Sequence, residues 1–166
     1  NEELKIIGEL ADKYDVVVVE DLAYFGMDFR DNYGIPGVEP YQPSVANYTD
    51  NWIMLISSSK VFSYAGQRMA VMAISDKLYG REYPDLKERF GTAGLGYTIV
   101  FRLLYSLSSG ASHSAQCALA AMFRAANEGK FNFIEPVKEY EERAKIAKKM
   151  FTDYGFKIVY DKDMDK

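Results

Sequence analysis

Residues 57–68 bring an amine, hydroxyls and a guanidinium into one short stretch: Ser57-Ser58-Ser59-Lys60 is followed by Gly66-Gln67-Arg68. A lysine near a strand end can form a Schiff base with a carbonyl, and a depressed pKa frees its amine for that attack. An arginine can grip a phosphate with two parallel hydrogen bonds, and the Ser57 and Ser59 hydroxyls can add to that grip. Further upstream, Asp21-Leu22-Ala23-Tyr24 supplies a carboxylate and a phenol. Each cluster follows an apolar run, Val16–Val19 or Ile53–Ile56. Ligands of open α/β sheets bind outside the carboxyl ends of the parallel strands, so neighbouring strands would unite the two clusters.

The surrounding pattern predicts elements able to do this. Leu4, Ile7, Leu10, Ala11 and Tyr14 recur at three- and four-residue steps, which predicts an amphipathic helix over 2–14. The valine run that follows has no polar alternation, as expected of a strand buried on both faces. Residues 26–50 hold Gly26, Gly34, Pro36, Gly37, Pro40 and Pro43 and read as a long functional loop or irregular lid. Strands are expected at Trp52–Ile56 and Met69–Ile74, and a helix from 84 to 90 that Gly91, Gly94 and Gly96 weaken. Ser114 is positioned to cap a buried helix over Ala115–Asn127, ended by Gly129.

The clearest helix covers 135–154, with Pro136 in its first turn, glutamates early, lysines late and Gly155 as its stop. One more strand is expected at Phe156–Tyr160. The class is α/β.

The 166 residues suit one domain, and 48% hydrophobic with 27% charged residues is ordinary globular composition. A net charge of −4 argues against general nucleic-acid binding, and no apolar run approaches the ~20 residues that span a bilayer. Cys117 is the single cysteine and reads as inert helix core, so nothing requires an oxidising compartment and a cytoplasmic setting is expected. His113 has no partners that would make a metal-ligand set. Gly91-x-x-Gly94-x-Gly96 reverses the spacing of the dinucleotide fingerprint. Ser108, Ser109, Ser112, His113 and Ser114 form a hydroxyl-rich loop whose plain reading is helix capping. Glu20 rivals Asp21 as a functional acid, but only Asp21 has the spacing to Tyr24, so Glu20 reads as structural.

Taken in order, Asp21-x-Ala23-Tyr24, Ser57-x-Ser59-Lys60 and Gly66-x-Arg68 resemble the cofactor motifs of the class I/II, fold-type-I aminotransferases, the aspartate-aminotransferase-like pyridoxal-phosphate enzymes. The resemblance implies a parallel or mixed sheet flanked by helices, part of that fold's large domain, over 1–135. It implies an interdomain helix and the first strand of a small domain over 136–166.

It further implies that Lys60 holds pyridoxal 5′-phosphate as a Schiff base and moves a proton at the substrate α-carbon. Asp21 would pair with the pyridine nitrogen, Tyr24 with the ring's phenolic oxygen, and Ala23 would pack under the ring. Ser57, Ser59 and Arg68 would bind the phosphate. Amino-acid and 2-oxo-acid substrates and a homodimer are the implied partners, and the Ser108–Ser114 loop would reach the partner subunit's cofactor.

Where the family often has glycine two places after the arginine, this chain has Ala70. Other family motifs, including the arginine for the substrate α-carboxylate, are expected outside residues 1–166, so the chain reads as a piece of a longer enzyme and as inactive by itself. The motifs bind cofactor without choosing which bond breaks, which leaves a lyase or decarboxylase of the same fold, or a non-catalytic folded module, as alternatives.

Overall fold

The computed structural model describes residues 1–29 and 33–159, and among them three strands form one mixed sheet in the order β1-β2-β3. Helix α1 (Glu2–Tyr14) carries Glu2 and Glu3 in its first turn and Lys13 in its last, as the helix dipole favours. It closes on Asp15, left-handed at φ 51°, and the Val16 N–H returns to Ala11 O at 2.9 Å. That bond takes Val16 out of the sheet, so β1 is Val18–Leu22, two residues later than the valine run suggests. Only Gly8 and Ala11 of α1 are buried, while Ile7, Leu10 and Tyr14 of the expected apolar stripe stay exposed.

β2 (Trp52–Ser57) runs parallel to β1 in the register Val18↔Trp52 to Leu22↔Ile56. β3 (Ala70–Ile74) returns antiparallel to β2, with Ser57 opposite Ala70. Asp21, Leu55 and Met72 therefore share one row and one face, and Val71 lies on the other. The expectation of a strand buried on both faces fails: Val19 is 57% exposed and lies on the Asp21 face. The opposite face is the covered one.

Ser75 caps α2 (Asp76–Tyr79), its Oγ accepting from Leu78 N–H at 3.1 Å. α3 (Pro84–Phe90) starts on proline and stops at Gly91, φ 75°. Past the glycines, α4 (Leu95–Thr98), a π-wound stretch Ile99–Leu104 and α5 (Tyr105–Ser108) form one continuous helical run, which the breakers concealed in the sequence.

α6 (His113–Asn127) supplies the core. Its Ala115 and Leu119 bury against Met69, with Phe62, Tyr64, Val71, Met122 and Phe123 packed around them. The Phe62 ring meets Phe123 edge-on at 5.4 Å and Phe133 at 5.0 Å.

Two further expectations need correcting here. α6 starts two residues before Ala115, and neither Ser112 nor Ser114 caps its backbone; their hydroxyls bond each other at 3.1 Å. Cys117 is exposed rather than core, because it sits about 200° around the helix from both Ala115 and Leu119.

α7 (Val137–Asp153) fulfils the reading of 135–154, with i,i+4 pairs Glu139–Arg143 and Glu141–Lys145 along it. Residues 156–159 form no strand, and Tyr160 lies outside the described residues. No helix among the described residues is long and apolar enough to cross a membrane.

Candidate active site

The parallel register of β1 and β2 puts their carboxyl ends side by side, and the antiparallel return delivers Arg68 to that same end of the sheet. Asp21 is the penultimate residue of β1 and lies on the face that Ser57, two rows on, also occupies. Its Oδ1 accepts from Ala23 N–H at 3.0 Å, an Asx turn that bends the chain sharply beyond β1. The turn continues with Phe25 N–H to Leu22 O and Met27 N–H to Tyr24 O, both 3.0 Å. Tyr24 is thereby held at the strand end, 64% exposed.

Beyond β2 the backbone folds over itself. Ser57 Oγ accepts from Ser59 N–H at 3.1 Å, leaving the hydroxyl proton free to donate outward. Ser58 points the other way and is 1% exposed, its Oγ donating to Met69 O at 2.5 Å. Lys60 then projects into solvent with Nζ 5.8 Å from the centre of the Tyr24 ring, at the edge of cation–π range. The two sequence clusters are thus in contact through these side chains.

Arg68 is left-handed, φ 52°, after a 3₁₀ turn at Ala65–Gln67. Its backbone N–H and its Nη1 both donate to Ala65 O, at 3.3 and 2.8 Å. The guanidinium is exposed and keeps its remaining N–H donors for another acceptor. At Gly66, which precedes it, an added Cβ would meet no heavy atom within 4 Å. Nothing in this chain requires glycine there, so the open space is available to a group approaching the backbone closely.

This arrangement fits pyridoxal phosphate by the chemistry of its donors. Ser57, Ser59 and Arg68 offer hydroxyl and guanidinium donors at one side, and the Asp21 carboxylate lies one strand away. An anionic group at the first and a protonated ring nitrogen at the second would both find the right partner.

Several supporting contacts join residues far apart in the sequence. Glu20 was read as structural, and its Oε2 accepts from Ser44 Oγ at 2.7 Å and from Val45 N–H at 3.3 Å, pinning the long loop to β1. Gly26 lies against the residue after Lys60: an added Cβ would sit 3.0 Å from Val61 Cγ2 and 3.2 Å from Phe133. Such contacts link residues far apart in sequence and leave no local pattern. The Ser108–Ser114 loop stays exposed, bonded to the flanking helical segments through Ser108 Oγ to Leu104 O at 2.7 Å and Gln116 Nε2 to Ala111 O at 3.0 Å.

No curated protein sequence matches the chain. Among family models, the one described as aminotransferase class I and II matches residues 1–163.

Proposed function

The chain belongs to the class I and II aminotransferases, and from that premise we propose that its β1–β2–β3 strand ends form one wall of a pyridoxal-phosphate site. The enzyme would exchange an amino group between an amino acid and a 2-oxo acid. The family is generally dependent on that cofactor. The observation that carries the reading is the approach of Lys60 Nζ to the Tyr24 ring, 5.8 Å, across two strand ends aligned by a parallel register.

When bound, the cofactor supplies a conjugated ring that draws electron density from the substrate α-carbon. The chain's own residues do the rest. Lys60 would be the covalent anchor, and its amine would be the group that carries a proton at the α-carbon. The Asp21 carboxylate would hold the proton on the ring nitrogen, the Tyr24 hydroxyl would donate to the ring oxygen, and Ala23 would pack against the ring. Ser57, Ser59 and Arg68 would hold the phosphate, with Arg68 contributing the charge. Residues 1–135 act as cofactor-binding domain, and α7 leads out of it.

Lys60, Asp21 and Tyr24 are all exposed in this chain, which leaves water access to the reacting groups. The chain alone should therefore capture cofactor weakly and turn over no amino acid. The test is borohydride reduction in the presence of pyridoxal phosphate, followed by peptide mapping. A label confined to Lys60 and lost in Lys60→Ala supports the assignment. Label on another lysine overturns it. Amino transfer by the enzyme that contains this segment, rather than ammonia or carbon dioxide release, decides for an aminotransferase over a lyase or decarboxylase.

A further inference from the structure

The long loop singled out in the sequence has no assigned part in holding the cofactor, yet its described residues are tied to the rest of the chain at several points. Gln42 Oε1 accepts from Gly26 N–H at 3.0 Å, and Asn132 Nδ2 donates to Gly34 O at 3.0 Å. Asn132 Oδ1 in turn accepts from the N–H groups of Ile134 and Glu135, at 2.9 and 3.2 Å, ahead of α7. With the Glu20–Ser44 bond, these contacts fix the loop at Gly26, Gly34, Gln42 and Ser44.

What the loop encloses is a cavity of about 290 Å³. Phe25, Phe123 and Phe133 form one side of it, and Ile35, Val38 and Tyr41 of the loop form the other. The walls are mostly apolar and aromatic, with Asp28, Gln42 and Asn127 also in the lining, and the anchors hold the space open without a ligand.

We propose that this cavity is a binding site for a small, flat, bicyclic heteroaromatic molecule bearing a ring N–H, of indole size. Volume sets the size: an apolar cavity of about 150 Å³ takes up one benzene, and this one is roughly twice as large. It lies below the range of about 300–1,000 Å³ typical of drug-sized ligands. Ring-lined walls select a flat apolar occupant.

The N–H requirement comes from Asn127, which also lines the cavity. Its Oδ1 lies 4.0 Å from where a Cβ on Gly37 would stand, so the amide oxygen faces the loop across the space. Asp28 and Gln42 line the cavity as well, but Gln42 Oε1 already accepts from Gly26 N–H, whereas the Asn127 oxygen accepts no hydrogen bond among the described residues and is open to a ligand N–H. The site adjoins the cofactor wall through the Phe25–Gly26 turn but uses none of its residues, and so does not depend on the reading of Lys60.

The probe is 5-fluoroindole titrated into the 166-residue chain and followed by the ¹⁹F line width. Saturable binding of one molecule per chain is expected, with the N-methylated analogue bound about three- to tenfold more weakly. Asn127→Leu should erase that difference while still binding the probe. Val38→Trp and Ile35→Trp, at positions 52% and 61% exposed, should fill the cavity and weaken binding by about tenfold or more without loss of fold by circular dichroism. Lys60→Ala should bind as the parent chain does, which keeps this test separate from the cofactor assignment. Absence of saturable binding, or equal affinity in both tryptophan variants, overturns the proposal.

Discussion

Ser58 Oγ donates to Met69 O at 2.5 Å, and the Ser58 N–H reaches the same oxygen at 3.3 Å. Together they cinch residues 58–69 into a loop that carries Lys60 near one end and Arg68 at the other. Tyr64 N–H to Ser58 O, 3.2 Å, and Ser63 N–H to Lys60 O, 3.1 Å, brace its interior. The covalent anchor and the phosphate-binding charge of the proposed site are therefore placed relative to each other by a residue that touches no ligand.

Ser58→Ala should destabilise the chain by about 1 kcal/mol, because Met69 O retains the Ser58 N–H while the hydroxyl bond is lost. Urea denaturation measures that term. Borohydride-trapped cofactor should fall by more than the stability change explains, since the loop's closure is loosened where Lys60 leaves it. Trapping that stays at the parent level would mean that the backbone bonds alone hold the loop.

Gly8→Ala tests how α1 docks. In an isolated helix alanine gains about 1 kcal/mol over glycine. Here an added Cβ would stand 2.7 Å from Tyr48 Cβ and 3.0 Å from Tyr48 O, and backbone cannot swing aside. The overpacking term, about 1–3 kcal/mol, is expected to win, lowering the urea midpoint. A raised midpoint would show that α1 is free to shift away from the 45–48 turn.

The Asp15–Arg81 pair makes a prediction about pH. Hydrogen bonds from the Arg81 guanidinium, helped by its charge and that of Lys77, hold the Asp15 carboxyl below its ordinary value against a smaller desolvation effect. A carboxyl depressed in the folded state stabilises the fold above its unfolded pKa, and the contribution disappears as pH falls through the folded one. Asp15→Asn should thus lower the thermal midpoint near neutrality by a small amount, as befits a pair 59% and 30% exposed. The difference between the two proteins should shrink progressively as pH falls below about 4. A gap of the same size at neutral pH and at about pH 2.5 would show that the link does not act through charge.

The family and the α/β class of this chain were easier to read in the sequence than its packing. Asp21, Tyr24, Lys60 and Arg68 could be read as one constellation because their spacing to apolar runs is local, and β1 and β2 do pair in parallel as that reading required. The boundaries of β1 were less legible, since the hydrogen bond from Val16 to Ala11 belongs to the helix end and not to valine's strand preference. Cys117 misled because an all-apolar helix surface does not say which side meets the core; Met69 and Val71 settle that, and they come from another part of the chain. The helical run from Leu95 to Ser108 was hidden by glycines that turn out to lie at or before its first turn. The cavity beneath the long loop was beyond reach, for its two walls are about a hundred residues apart in sequence.

Arg68 also bears on what shaped this sequence. A non-glycine residue at φ 52° is strained by about 1–3 kcal/mol, and the neighbouring backbone would suit glycine well. Arg68→Gly should therefore make the chain more resistant to urea while it loses affinity for phosphate-bearing ligands. A position where durability and ligand capture pull in opposite directions records which of the two was selected. On the proposed reading of Arg68, the fold would be less sturdy than it could be in exchange for one guanidinium at the end of the sheet.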